Sequence, residues 1–236
     1  MEEIQQSLPV SALTEERRVA FYRKTYTHLA MAVLTFIIVE WLFFQMEPVM
    51  KFALSLTQGW TWLLLLGGFM LVTNYAEGIA IKSHDRNKQY LALLLYVIAE
   101  AFIFIPLIFI AIVMADQGGA NILYQAAILT LSLFTGLSAV ALLTKKDFSF
   151  LRSILTIGFF IAMGLIVAGV IFGFNLGLWF SVGMVVLASG SILYQTSNMV
   201  HKYSEDQYVA ASLGLFASLM LLFWYILSIL SRLSGD

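Results

Sequence analysis

Of 236 residues, 61% are hydrophobic and only 11% charged, with a mean hydropathy of +0.89, and no soluble domain of this length covers that much apolar surface. The absence of cysteine excludes disulfides, thiolate nucleophiles, iron–sulfur clusters and cysteine-ligated zinc. The net charge of −1 matters less than where the charges lie, because loop charge sets orientation in a bilayer.

Residues 1–26, MEEIQQSLPVSALTEERRVAFYRKTY, are polar and mixed in charge, with neither the apolar run nor the cleavage site of a secretory leader. They are predicted as an N-terminal tail ahead of a single membrane domain over 27–236. Seven stretches there are long enough to span about 30 Å of hydrocarbon, which takes roughly 20 helical residues. They fall at about 27–47, 60–81, 90–114, 121–144, 150–173, 177–200 and 207–231. The expected fold class is therefore an all-α integral membrane protein, a seven-helix bundle with the lipid bilayer as its first partner.

The first span carries Glu40 beside Trp41, near the headgroup zone, where a structural reading of the carboxyl is preferred. The second carries Asn74 and Glu77 one turn apart. The third carries Glu100, about 15 Å inside the bundle, and Pro106, which frees a backbone carbonyl and favours a kink. A carboxylate at that depth must face protein or water. Glu100 is thus a candidate protonatable gate or ion-pathway residue, with a purely structural role weighed equally. In the fifth and sixth spans Gly169, Gly173 and Gly177 recur at intervals of four, a spacing that lets helices approach within the monomer or between copies.

The sixth span ends in ILYQTSNMVHKY, residues 192–203. Gln195 and Asn198 share a face with Ser191, and His201 continues that line to the helix end. There the helix dipole favours a cationic imidazole, although a solvated histidine is the plainer reading. Thr196 and Ser197 are expected to bond back to their own helix. Gln195 and Asn198 are also candidates to meet Asn74 and Glu77, which lie at similar depth.

Eleven of the Lys and Arg residues fall on one side: Arg17, Arg18, Arg23 and Lys24, then Lys82, Arg86, Lys88, Lys145, Lys146, Arg152 and Lys202. Lys51 and Arg232 fall on the other. By the positive-inside rule the N-terminus is cytoplasmic and the C-terminus outside. Catalytic patterns are missing: no HExxH, three scattered histidines (His28, His84, His201), no intramembrane aspartate pair and no phosphate-binding glycine loop. The expectation is a non-enzyme without cofactor, with no nucleic-acid partner and its oligomeric state open.

Several stretches together resemble the Bax-inhibitor-like family, the transmembrane Bax inhibitor motif proteins, and above all its bacterial YccA-type branch. They are ERRVAFYRKTYTHLAMAVLTF at 16–36, LLTKKDFSFL at 142–151, SGSILYQTSNMVH at 189–201 and LSIL near 230. The resemblance implies a bundle with the last helix central and the other six around it. It implies pH-sensitive modulation of a calcium or cation leak and, for the YccA-type branch, restraint of the membrane-bound AAA protease FtsH. In calcium-leak members two carboxylates on the sixth and seventh helices share protons. Carried onto this chain, those positions are Gln195 and Ser218, neither of which ionises, and this puts the proton-gated mechanism in doubt here.

Two readings follow. In the first, Glu77 and Glu100 attract a cation, with a weak calcium site possible between them, while Gln195, Asn198 and Ser218 close the pathway. In the second, the chain regulates a membrane protease without transporting anything, gripped by its N-terminal tail over residues 1 to about 20. Without repeated halves or paired broken helices, a small-solute transporter is a distant third.

Overall fold

The computed structural model describes residues 9–57, 59–83, 85–116, 121–144 and 146–234. Among these are eight α-helices: α1 (Glu15–Gln45), α2 (Glu47–Ser55), α3 (Trp60–Lys82), α4 (Arg86–Asp116), α5 (Ile122–Thr144), α6 (Leu151–Phe172), α7 (Gly177–His201) and α8 (Tyr208–Ser234). All but α2 are long and apolar enough to cross a membrane.

The predicted spans are all present, and the main departure lies at the start. Helix α1 begins at Glu15, so half of the stretch expected as a tail is helix. Glu15 and Glu16 in its first turn favour that start, since acidic groups complement the positive end of a helix dipole. Ahead of it, a single 3-10 turn, Val10–Ala12, is tied down: the Val10 N–H donates to the Tyr203 carbonyl at 2.9 Å, and the Val10 side chain is fully buried. Residues 1–8 of the expected tail, along with His84 and Lys145, lie outside the described residues.

Helix α8 is the centre of the bundle, as the resemblance implies. A helix apolar on every side belongs inside, and this one is buried over Leu213, Gly214, Leu215 and Phe216 in succession. It packs against α1, α3, α4, α5 and α7. The expected ring of six is a ring of five. Helix α6 stands outside, leaning on α7 and reaching α8 only in a small cluster of Ala162, Met184 and Tyr225. Its Ile154, Ile157, Phe160 and Ile161 are exposed on apolar flanks, as lipid allows.

The Gly169–Gly173–Gly177 spacing is not a packing stripe. Gly173 ends α6 and Gly177 opens α7, both at positive φ (72° and 73°), a left-handed backbone that glycine adopts without strain. They make the turn between two spans.

Candidate functional site

The polar residues at the end of α7 face two different neighbours. Toward α8 they build a seam. The Ser218 hydroxyl donates to the Gly214 carbonyl of its own helix at 3.0 Å. Its proton is thereby used, so in the 2.8 Å contact between the two serines Ser191 donates to Ser218. One turn on, the Gln195 carboxamide lies directly on Gly214, so close that a Cβ there would stand 2.9 Å from Gln195 Oε1. Gln195 and Ser218 therefore sit in one α7–α8 seam, and each reaches a different partner: Ser218 meets Ser191, and Gln195 covers Gly214. Neither side chain ionises, so nothing in the seam repels on loss of a proton.

Toward the 144–150 loop the same helix end builds a clasp. Ser197 Oγ accepts the Phe148 N–H at 2.9 Å and faces Asp147 Oδ1 at 3.5 Å. His201 Nδ1 lies 3.0 Å from the Ser197 carbonyl, which can only accept, so Nδ1 carries the proton. Asp147 is held below the usual carboxylate range, chiefly by the Ser149 backbone N–H and further by the charges of His201 and Lys202. Ser197 thus bonds across to the loop rather than to its own helix. Thr196, expected to be self-satisfied, is fully buried, and its hydroxyl is turned to the Tyr26 phenol of α1 rather than bonded to its own helix.

Asn198 is buried, its side-chain Oδ1 has no partner, and its backbone carbonyl closes the helix end by accepting from Lys202 and Tyr203. The expected meeting with α3 does not occur. Asn74 donates to its own helix at the Met70 carbonyl, 2.7 Å away, and α8 lies between α3 and α7.

Glu77 and Glu100 sit on neighbouring helices, with the phenol of Tyr96 in the field of both. Glu100 lines a cavity. That cavity, of about 630 Å³, lies among α3, α4, α6, α7 and α8, with Glu100 and Trp224 on its wall and Arg232 and the 173–176 turn at its mouth. Glu100 is 5% exposed, and its Oε2 has no partner. Among the described residues no three His, Asp or Glu side chains gather as metal ligands.

Sequence reasoning passed over Tyr208. Its ring is flanked by Lys24 at 5.5 Å and Arg86 at 4.4 Å and tilts against His28 at 4.9 Å. His28 in turn reaches the Tyr90 hydroxyl through Nε2 at 3.0 Å. This cation–aromatic knot ties α1, α4 and α8 together. Aromatic residues beside basic loop ends were its only sequence signal.

A buried helix seam, a loop clasp and an acid-lined cavity inside seven apolar helices define a multi-pass helical membrane protein with its polar groups turned inward. Residues 18–235 match the family described as inhibitor of apoptosis-promoting Bax1, and the chain belongs to that family. It is 38% identical over 119 residues to an uncharacterized protein of Pseudomonas aeruginosa, covering 50% of this chain and 53% of that one. To Bax inhibitor 1 of Schizosaccharomyces pombe it is 26% identical over 242 residues, 100% of this chain and 85% of the relative. To the Escherichia coli protein named modulator of FtsH protease YccA it is 34% identical over 122 residues, 51% of this chain and 55% of the relative. The matched stretch thus spans about half the length of the two bacterial relatives. The Escherichia coli YccA also bears the name inner membrane protein.

Proposed function

We propose that this chain is a non-enzymatic regulator of an FtsH-type membrane protease, acting in the inner membrane with its basic loops and N-terminus on the cytoplasmic side. The likeness to the protein named modulator of FtsH protease supports this reading above all. The geometry agrees with it in one respect: the α7–α8 seam has no ionisable pair to open it, and the basic end presents a tied surface. The strap at Val10 docks the segment ahead of α1 on the Tyr203 carbonyl, so the proposed contact surface is the clasped loops beside it. Native purification of the full chain from a bacterial membrane, with quantification of co-purifying AAA protease, tests this. Recovery of the protease together with slower turnover of its membrane substrates is expected. No protease recovered and unchanged turnover on deletion of the chain would overturn it.

A second reading, modulation of a cation leak, is favoured by one observation: Glu100 with an unpartnered oxygen on the wall of a cavity that opens toward Arg232. Calcium flux into liposomes from pH 5 to 8, for wild type, Glu100→Gln and Gln195→Asp, tests it. The aspartate at 195 is expected to increase pH dependence more than loss of Glu100 reduces it. Liposomes that pass no calcium at any of these pH values would remove the reading.

A further inference from the structure

A second cavity, of about 570 Å³, opens between α1 and α5 with α8 as its floor. Helices α1 and α5 make no extended contact with each other. At the lip Ile37, Trp41, Tyr124 and Leu131 are more than half exposed on spanning helices, so the opening is lateral, toward lipid. Four polar side chains line it: Asn121 and Tyr124 are exposed, while Glu40 and Thr130 are buried. Glu40 is 6% exposed and neither carboxyl oxygen has a partner; Thr130 is 2% exposed and its Oγ1 has none. No basic residue lines the cavity. Three buried oxygen atoms left unsatisfied around one apolar space are unusual, because buried polar groups are almost always bonded.

We propose that this groove binds a neutral single-chain amphiphile from the bilayer whose head group carries hydroxyls, a monoacylglycerol or a lipid of that chemistry, held by Glu40 and Thr130. The depth fits. Glu40 lies five residues from the end of α1, roughly 7.5 Å along the helix, beside Trp41 and level with the boundary between head groups and acyl chains. The chain would run inward past Phe36 and Phe223. The volume lies within the roughly 300 to 1,000 Å³ usual for small-ligand sites.

Chemistry selects the head group. A hydroxyl both donates and accepts, so a diol satisfies the carboxyl oxygens and the Thr130 hydroxyl together. An ammonium head group would bury an ion pair deep in the groove while the Asn121 amide and the Tyr124 hydroxyl stand among exposed residues, a poor exchange for the water it leaves. A fatty-acid carboxylate would meet Glu40 with no cation between them.

Photocrosslinking tests the assignment. The full chain in phosphatidylcholine nanodiscs is exposed to a diazirine-bearing monoacylglycerol, and adducts are mapped by mass spectrometry. Adducts should concentrate on peptides around Glu40 and Thr130. Monoolein should compete about tenfold better than oleylamine, oleate or octadecane, the ratio one well-made hydrogen bond gives. Ala127→Phe, which fills the groove and keeps Glu40, should suppress labelling. Glu40→Leu should retain labelling and lose the preference for monoolein over octadecane. Thr130→Val should reduce the same preference less, and serves if the leucine variant does not fold. Equal competition by octadecane would reduce the groove to a place where any chain lodges, and stronger competition by oleylamine would show a cation site. Either result overturns the proposal, as would unaltered selectivity in both Glu40→Leu and Thr130→Val.

Discussion

The two ends of the bundle are held by different forces. At the basic end, every side-chain hydrogen bond among the described residues that joins positions more than a hundred apart is found: Arg17 to Glu205, Arg86 to the Asp206 carbonyl, and Gln207 to the Ile81 carbonyl. The Val10 strap, the Tyr208 knot and the Ser197 clasp lie at the same end. At the other end the one ion pair among the described residues is local, Glu47 with Lys51 inside α2, and the cavities lined by Glu100 and Glu40 open there, whereas a third, of about 820 Å³, lies between α3 and α4 at the basic end. Ring contacts such as Trp62 with Trp224, Phe43 with Phe102 and Phe52 with Phe102 join the helices there.

That asymmetry is breakable in graded steps. The greatest effect is expected where seam and clasp meet the central helix. Gly214→Val drives a branched side chain into the Gln195 carboxamide and should cost about 1 to 3 kcal/mol, the usual toll of overpacking. Gly164→Val, with nothing within 4 Å of its added Cβ, should leave the melting temperature in detergent unchanged. Equal melting of the two variants would show the seam to be slack.

Ser197→Ala should follow at about 1 to 2 kcal/mol, because it strands the Phe148 N–H without its acceptor. Hydrogen exchange at the Phe148 amide reads this directly, with faster exchange confined to the clasp.

Asp147 gives a smaller, pH-dependent effect. Its folded-state pKa lies below the unfolded value, because the Ser149 N–H and the nearby His201 and Lys202 favour the carboxylate. Its contribution is complete above the unfolded value of about 4 and is lost as pH falls through the lowered one. Exchange at Phe148 should quicken below about pH 4 in the wild type and show no such step in Asp147→Asn.

Least of all, Arg17→Gln should cost under about 1 kcal/mol, and 1 M salt should erase the difference, since the Arg17–Glu205 pair is largely exposed. A larger loss would mean that the strap depends on this pair.

Much of the fold was legible from apolar length alone. Loops that are short and basic leave a spanning helix little freedom in where it ends, and the predicted 121–144 and 177–200 match α5 and α7 within a residue. Helix α2 was missed because nine residues make no span, although Glu47-Pro48 is a good helix start and Lys51 lies one turn on. The site was read less well. Helical periodicity assigns a residue to a face and is silent on which helix that face meets. It placed Gln195 beside Ser191 correctly, yet gave Ser197 to its own backbone when the Phe148 amide lay across from it. Nor could it show that Glu100 lines a cavity, since that cavity is formed between five helices.

The Val10 strap also has a consequence for biogenesis. Its acceptor, the Tyr203 carbonyl, is made almost two hundred residues later. At roughly 5 to 20 residues per second, synthesis takes on the order of 10 to 40 seconds to reach it. Throughout that interval the first helix is inserted while its leading segment has nowhere to dock. The latch thus joins an early segment to a late one, and a chain arrested before Tyr203 would display it open.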